Sequence, residues 1–377
     1  MSLIPLIPRR DQMDTRNRID PFRNALLAAV SDGREFPPPQ PLDISPWLAM
    51  SLLQKSVRRG RCDLALKAAA TLLRDAPDRL WRRLGGIAFE DVGLGDLQAV
   101  GLTTAALTGK RFRRDLGGDW NVAAVVVQRL TQSRKSRASD DLFMALEALP
   151  GLADDRCALC TETNPRLHLT ALTTPSLHTR ALSVLFLLGT DRPGWKLPAR
   201  RGEVALAFDL LDELGTAPTT LAICREGYRK TQEALPPLLA LLASENGLRD
   251  EATDDRMPEE AMIGPVPGWA LDMFTREGKL ALTRLLATNA GIAEFARSMV
   301  PKQKQVGFLG QVLFRVEGGL LARRVGGDLS DRLHSQLLFE TLGVDPLAAV
   351  QALDLMRQDL PLLNRIRRTV IGGQRNG

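Results

Sequence analysis

Residues 51–96 decide the fold class, and their sequence is SLLQKSVRRGRCDLALKAAATLLRDAPDRLWRRLGGIAFEDVGLGD. Gly60 predicts the end of one helix. Arg58 and Arg59 just before it support this end, because positive charge suits the carbonyl end of a helix dipole. We expect Asp78 to cap a later helix. The apolar residues between them recur at three- and four-residue steps, which places them on one helix face: Leu64, Leu66, Ala69, Leu72 and Leu73. The stretch therefore predicts two or three packed amphipathic helices.

The composition extends this prediction to the whole chain. Hydrophobic residues make up 44% of the 377 residues, charged residues 25% and aromatic residues only 5%. Leucine and alanine dominate, which favours helices packed on helices over a β-sandwich. A chain of this length can form more than one core. We predict an all-α protein, a multi-helix bundle or array with two helical domains.

Proline, glycine and charge patterns predict the domain boundaries. We expect a basic, proline-rich N-terminal arm at 1–45, a helical domain at 46–150, its helical continuation at 151–243, an acidic and proline-rich linker at 244–267, and a C-terminal helical domain at 268–377. Ser45 followed by Pro46 predicts a helix start, because the first turn does not need the N–H that proline lacks. Apolar spacing predicts helices near 21–30, 97–108, 120–131, 139–149, 176–188, 203–214, 230–244 with a kink at Pro236-Pro237, 269–287, 290–298, 304–325, 329–342, 346–356 and 359–371.

Two motifs in residues 51–96 carry a resemblance to a known family. They are Leu53-Gln54-Lys55-Ser56-Val57-Arg58-Arg59-Gly60 and Ile87-Ala88-Phe89-Glu90-Asp91-Val92-Gly93-Leu94, with Arg82-Arg83-Leu84 between them. In this order they resemble the all-helical C-terminal region of MgsA/RarA-type AAA+ ATPases, clamp-loader relatives that include the Werner-helicase-interacting protein. The family usually has serine where Phe89 stands. The resemblance covers about residues 50–100 and is thin to about 170, and it implies oligomerisation and a role in DNA metabolism.

The sequence lacks the phosphate-binding loop of those ATPases. That loop needs G-x-x-x-x-G-K-[ST], in which backbone N–H groups reach the phosphates and the hydroxyl holds magnesium. Gly109-Lys110 is followed by Arg111, and Gly278-Lys279 by Leu280. The acidic segment 208–213 has apolar residues at helical spacing, which favours a surface helix over a metal site. No nucleophile–base or paired-carboxylate motif can be assembled either, so we expect no enzyme and no cofactor.

The charge balance permits an acidic partner. Fifty basic residues against 44 acidic ones give a net charge of +6, and nucleic acid is the commonest partner of such proteins. Cations cluster in three connecting segments, and we predict that they contact phosphates, with solvated loops as the alternative. These candidate nucleic-acid contacts are Arg58, Arg59, Arg61, Lys110, Arg111, Arg113, Arg114, Arg134, Lys135 and Arg137.

The cysteines and histidines leave a zinc site open. Cys157-x-x-Cys160, His168 and His178 have suitable ligand types, but the spacing of the histidines exceeds the usual three to five residues. Buried thiols and polar histidines are the favoured interpretation. Four scattered cysteines do not form a disulfide scaffold, so we expect a reducing cytoplasm.

Three functional hypotheses result. The first is a non-catalytic accessory protein of DNA replication, recombination or repair, which acts by oligomerisation or beside an AAA+ partner and binds nucleic acid. The second is a protein-only interaction scaffold of a mobile or defence element that works with a separate ATPase. The third is a zinc-dependent enzyme that uses Cys157, Cys160, His168 and the acids near 250–260. No stretch reaches the ~18 apolar residues of a membrane helix, and the N-terminal apolar run is too short for a signal peptide.

Overall fold

A computed structural model describes residues 15–32, 37–245 and 251–374. The prediction of an all-α, multi-helix array is confirmed. The α-helices of the first half are α1 Thr15–Ser31, α2 Pro46–Arg58, α3 Cys62–Asp75, α4 Pro77–Ile87, α5 Leu97–Ala106, α6 Lys110–Asp115, α7 Asp119–Gln132, α8 Ala138–Ala148, α9 Ala153–Thr161 and α10 Asn164–Thr173. Those of the second half are α11 Leu177–Leu188, α12 Val204–Glu213, α13 Pro218–Thr231, α14 Leu235–Ser244, α15 Arg276–Leu286, α16 Gly291–Met299, α17 Gln305–Leu313, α18 Asp328–Glu340 and α19 Pro346–Gln374.

Local signals explain where several helices begin. The Ser45 hydroxyl accepts a hydrogen bond from the Leu48 backbone N–H at 3.2 Å, and Pro46 occupies the first turn, as predicted. The prediction that Asp78 caps α4 is wrong. Pro77 begins that helix, and Asp78 lies in its first turn, where its charge still suits the helix dipole.

The helix spacing also misplaced some elements. α13 was not predicted, and Pro236 and Pro237 lie in the first turn of α14, so no kink is needed there. The two helices predicted from 346 to 371 form the single helix α19, which contains Pro361. The helix predicted at 304–325 is shorter than expected. α17 is followed directly by a short π-helix, Phe314–Gly318, and the helical segment ends there.

Two hydrophobic cores divide the described residues. The first contains buried residues from α1 through α14, and the second lies between α15 and α19. We call residues 15–245 the N-terminal unit and 276–374 the C-terminal unit. α18 departs from this division, because its Leu333 and Leu337 are buried in the first core. The C-terminal unit is therefore attached to the N-terminal unit through one of its own helices.

The described part of the predicted N-terminal arm is not a free extension. Ile19, Phe22 and Leu26 of α1 are buried in the first core, in which α1 packs on α5 and α13. Residues 1–14 and 33–36 of that predicted arm lie outside the described residues.

The described part of the predicted acidic linker makes fixed contacts with both units. It contains β1 Ala252–Thr253, β2 Met262–Ile263 and β3 Val266–Pro267, in which β2 pairs with β3 and β1 pairs with β4 Arg324–Val325. Asp255 forms an ion pair with Arg324 at 2.6 Å, and Glu260 forms one with Arg61 at 2.6 Å. This connector is thus tied to both helical units rather than extended between them.

Two π-helices interrupt the α-helical pattern at the contact between the units. The first, Ala88–Val92, follows α4, and the second, Phe314–Gly318, follows α17. A π-helix is rare and often marks a functional site, because the extra residue in its turn redirects side chains. None of the helices in the described residues is long and apolar enough to cross a lipid bilayer.

Candidate functional site

A cleft of about 620 Å³ lies between the two helical units. This volume is in the range of small-molecule binding sites. The N-terminal unit lines it with residues of α2, α4, α8 and the first π-helix, and the C-terminal unit with residues of the second π-helix, α18 and α19. Both π-helices therefore contribute to one cavity, which makes the cleft the candidate site of the molecule.

Asp91 lies at the centre of a buried charge network beside the cleft. Its Oδ1 accepts hydrogen bonds from Nε of Arg58 at 2.7 Å and from Nη1 of Arg137 at 2.6 Å. Its Oδ2 accepts a hydrogen bond from Nε2 of Gln54 at 2.9 Å. Burial alone would raise the pKa of Asp91, but the two guanidinium groups hold this pKa below its usual value. Asp91 is therefore an anion whose charge is compensated from two directions.

Two neighbouring carboxylates complete this network. Glu90 accepts hydrogen bonds from Arg58 at 2.8 Å and from Arg137 at 3.1 Å, and Asp140 is bound by Arg137. Burial tends to lower the pKa of Arg137, but the surrounding carboxylates raise it well above its usual value. We call the set Arg58, Glu90, Asp91, Arg137 and Asp140 the carboxylate cluster.

The carboxylate cluster is shared by the two helical units. Nη1 of Arg58 donates a hydrogen bond at 2.8 Å to the carbonyl of Gly318, the last residue of the second π-helix. The guanidinium groups of Arg58 and Arg137 lie 5.4 and 5.2 Å from the ring centre of Phe314 in the same π-helix. Such cation–π contacts stabilise a desolvated cation. The cluster therefore helps to hold the C-terminal unit in place.

A second buried ion pair joins the N-terminal unit to the connector and also lines the cleft. Nζ of Lys55 lies 2.7 Å from the Asp272 carboxylate and donates a hydrogen bond to the Ser51 hydroxyl at 2.6 Å. Ser51 in turn donates to the carbonyl of Ala270. Burial lowers the pKa of Lys55, and the nearby Asp272 carboxylate opposes that shift. α2 thus contacts the connector before α15 through side chains of its cleft-facing side.

Asp140 is the carboxyl group of the cleft with the most altered titration. Burial raises its pKa to about 7; Arg137 opposes the shift, and the neighbouring carboxylates of Glu90, Asp141 and Asp91 reinforce it. Asp141 contacts Nδ1 of His334 at 3.3 Å. A carboxyl group that titrates near neutrality in a cleft has the property required of a general acid or base.

Two other arginines line the cleft without any carboxylate partner among the described residues, and we call them the unpaired arginines. Arg83 donates one hydrogen bond, from Nη1 to the amide oxygen of Gln54 at 2.9 Å. Arg315 donates only to neutral acceptors: Gln311, the carbonyl of Leu337 and the Thr341 hydroxyl. Burial lowers the pKa of Arg315 to about 10, although Asp141 raises it from a distance. Neither guanidinium group is therefore neutralised by a direct ion pair within the described residues.

The ten cations predicted to contact phosphates do not share one surface. Arg58, Arg113, Lys135 and Arg137 are buried. Arg113 forms an ion pair with Asp119 at 2.5 Å, and Lys135 donates hydrogen bonds to the carbonyls of Thr131 and Ser133. Burial, reinforced by the Arg323 charge, lowers the pKa of Lys135 to about 8. These four side chains serve the interior of the protein rather than a solvent-facing phosphate site.

The other six predicted contacts are at least partly accessible. Arg59 is half-buried and lies over Trp269, and Arg61 forms ion pairs with Glu260 and Asp63. Arg134 is exposed and has a partner of its own. Lys110, Arg111 and Arg114 are exposed on α6, the only helix to carry three of the predicted cations at its outer surface in the described chain.

The residues considered for zinc are not assembled into a metal site. Cys157 and Cys160 lie on α9, whereas His168 lies on α10 and hydrogen-bonds Glu213 at 2.9 Å. His178 lies on α11, and burial lowers its pKa. Among the described residues, no group of three or more histidine, cysteine or acidic side chains is arranged to hold a metal ion.

Sequence reasoning named the motifs of the cleft but missed several of its functional residues. Asp140, Asp141 and Arg315 carried no motif, and Glu90 and Asp91 entered only through the family resemblance. The available signal was the pair of acidic residues that follows Arg137 in the chain, because a buried arginine needs such partners.

Phe89, where the resembling family usually has serine, belongs to the core. It is buried, and a Cβ atom placed on Gly227 of α13 would lie 2.2 Å from its ring. The absence of a side chain at Gly227 therefore makes room for the larger residue.

Comparisons of this chain with protein-family models, with curated proteins and with solved structures found no match. The features of this chain that bear on function are thus the cleft, the exposed cations and the residues that carry the resemblance.

Proposed function

We propose that this protein is a non-catalytic accessory protein of DNA metabolism that oligomerises and binds nucleic acid without sequence preference. One observation carries the proposal. Gln54 and Arg58 from the first motif of the family resemblance bind Asp91 from the second, at 2.9 and 2.7 Å. The resemblance to RarA-type C-terminal regions thus includes residues that contact one another in the interior, which supports a relationship in structure as well as in sequence.

The exposed cations of α6 are the nucleic-acid contact that the structure supports best. Lys110 lies 4.0 Å from the Asp78 carboxylate and Arg114 lies 3.8 Å from that of Asp115, in pairs that are largely exposed to solvent. Such pairs are weak and give way to stronger anions. Phosphate groups of a DNA backbone would attract these side chains whatever the base sequence.

A gel-shift experiment with double-stranded DNA at about 50 and 200 mM salt tests the proposal. We expect retention at low salt, a steep loss at higher salt, and weaker retention by the triple variant Lys110→Gln, Arg111→Gln, Arg114→Gln. The matched control is Arg276→Gln, Lys279→Gln, Arg284→Gln, which removes three exposed cations from α15. Equal loss in both variants would show that only net charge matters and would remove α6 from the proposal.

Light scattering on the same preparations tests self-assembly, and we expect a mass above that of one chain. Assembly without DNA retention at low salt would favour the protein-only interaction scaffold. A single-chain mass together with no retention would refute the proposed function.

A further inference from the structure

The cleft has three kinds of lining group whose interactions the protein leaves incomplete: unpaired arginines, carboxylates with spare acceptor capacity, and exposed aromatic rings. Each kind of group indicates one chemical feature of a ligand. Only a ligand with all three features would form hydrogen bonds or stacking contacts with every one of these groups.

The unpaired arginines indicate an oxyanion. Arg83 is half-buried and uses one of its five N–H groups within the described residues, to a neutral amide. A guanidinium fork binds a phosphate or carboxylate with two parallel hydrogen bonds, which is stronger than its contact with an amide. Arg315 lines the same cavity and forms no ion pair within the described residues, but its Nη1 and Nη2 groups already donate to Gln311, Leu337 and Thr341, so it contributes positive charge rather than a free fork.

The carboxylates indicate hydrogen-bond donors on the same ligand. Among the side-chain donors of the described residues, Asp141 contacts only the His334 ring, at 3.3 Å, and Asp140 shares Arg137 with two other carboxylates. A carboxylate has about four acceptor positions. Hydroxyl or amino groups of a ligand can fill the remaining positions.

The aromatic rings indicate a flat apolar group. Phe274 is 68% exposed and Trp47 is 60% exposed, and both line the cleft. A large aromatic side chain left in water gains apolar burial and stacking when a planar ring covers it. Arg79 already lies 5.0 Å from the ring centre of Trp47, which leaves Phe274 as the less occupied surface.

We propose that the cleft binds a nucleoside phosphate, with the phosphate on Arg83 and Arg315, the base against Phe274 and Trp47, and sugar or base donors on Asp140 and Asp141. The cavity of about 620 Å³ is large enough for a mononucleotide. The same chemistry is offered by a free nucleotide and by the phosphorylated end of a DNA strand.

Calorimetry with deoxyadenosine monophosphate tests the proposal. Wild-type protein should bind this nucleotide, and deoxyadenosine or inorganic phosphate should bind much more weakly, because each lacks one of the recognised groups. Arg83→Met should weaken binding about tenfold or more, the effect of losing a charge-assisted fork. The matched control is Arg82→Met on the same helix, since Arg82 is exposed and its hydrogen bond within the described part of the chain goes to the carbonyl of Asp78.

Two further variants protect the test against misfolding. Phe274→Ala changes an exposed residue, so the protein should stay folded while nucleotide affinity falls and the weak affinity for inorganic phosphate does not change. Arg315→Lys keeps the positive charge that attracts the phosphate, and we expect a smaller loss of nucleotide affinity than with Arg315→Met. Thermal unfolding of each variant shows whether it is folded.

A comparison of 5′-phosphorylated and unphosphorylated single-stranded tetranucleotides separates the two sources of the ligand. Preference for the phosphorylated strand over the mononucleotide assigns the cleft to a strand end, and the reverse assigns it to a free nucleotide. No binding of any phosphorylated probe at millimolar concentration, or an equal loss in Arg82→Met and Arg83→Met, overturns the proposal. DNA retention through α6 is measured separately, so either proposal can fail alone.

Discussion

The carboxylate cluster and the unpaired arginines both lie at the cleft, and both contain guanidinium groups. These groups differ in their binding partners. In the cluster, Arg58 and Arg137 are buried but bind Asp91 directly. Arg83 and Arg315 remain partly accessible and bind only neutral groups. We therefore assign Arg58 and Arg137 to the stability of the protein, and Arg83 and Arg315 to the proposed ligand. Changes at Asp91, at Asp140, at Arg315 and on α6 test this division, with effects that we expect to decrease in that order.

Asp91→Ala should cause the largest loss. It leaves two buried guanidinium groups without their shared anion, and breaking a buried pair from one side typically costs about 3–5 kcal/mol. Chemical denaturation measures the change in the free energy of unfolding. The control Asp354→Ala breaks an exposed pair with Arg357 and should change stability by less than ~1 kcal/mol. Similar losses in the two variants would contradict the role assigned to Asp91.

Asp140→Asn should alter the dependence of stability on pH. The pKa of Asp140 is about 7 in the folded protein, above the ordinary value of 3.8 for an aspartate, so its contribution to stability is present at low pH and is lost as the pH rises to about 7. The asparagine variant lacks this loss. Relative to wild type, it should gain ~2 kcal/mol between pH 4 and pH 8, which is less than the full linkage value because solvent reaches the site.

Unfolding measured at both pH values tests this expectation. A stability difference between Asp140→Asn and wild type that is the same at pH 4 and pH 8 would mean that Asp140 titrates normally.

Arg315→Met should have a smaller effect than Asp91→Ala. The substitution removes hydrogen bonds to neutral acceptors but also removes a poorly compensated buried charge, and these contributions oppose each other. We expect a net change of about 1 kcal/mol in the free energy of unfolding, measured as for Asp91→Ala. A loss as large as that of Asp91→Ala would place Arg315 among the structural cations and would weaken its assignment to a ligand.

The exposed cations of α6 should matter least for stability. Replacing Lys110, Arg111 and Arg114 with glutamine should change the free energy of unfolding by about 0.5 kcal/mol or less, as is usual for surface positions. Arg113→Gln on the same helix is the contrast. Arg113 lies 2.5 Å from Asp119 and 3.9 Å from the ring centre of Trp81, so its loss should be clearly destabilising. Thermal unfolding of both variants compares the two faces of one short helix.

The sequence predicted the fold class because apolar spacing is a local property. It predicted the start of α2 from Ser45 and Pro46 for the same reason. It could not distinguish Arg113 from Arg114, because the direction in which each points depends on Trp81 and Asp119, and on how α4 and α7 pack around α6. Four of the ten predicted cations are buried for this kind of reason.

The cleft itself could not be predicted from local patterns. Arg58 and Gly318 are 260 residues apart in the chain, and only the packing of two helical units brings them together. Glu90 and Asp91 were visible in one motif and Arg58 in the other, but the sequence did not show that they contact one another. A π-helix could not be predicted from the sequence either, since the extra residue in its turn leaves the spacing of apolar residues nearly unchanged.

The π-helix Ala88–Val92 makes the cleft sensitive to the length of the chain as well as to its chemistry. Deleting one residue from this segment would restore regular α-helical turns, and each residue of an α-helix turns the chain by roughly 100°. Helical content and apolar composition would scarcely change. The carboxylates of Glu90 and Asp91, however, would be rotated away from Arg58. The loss of a single codon here would therefore break the carboxylate cluster, although the remaining sequence would be unchanged.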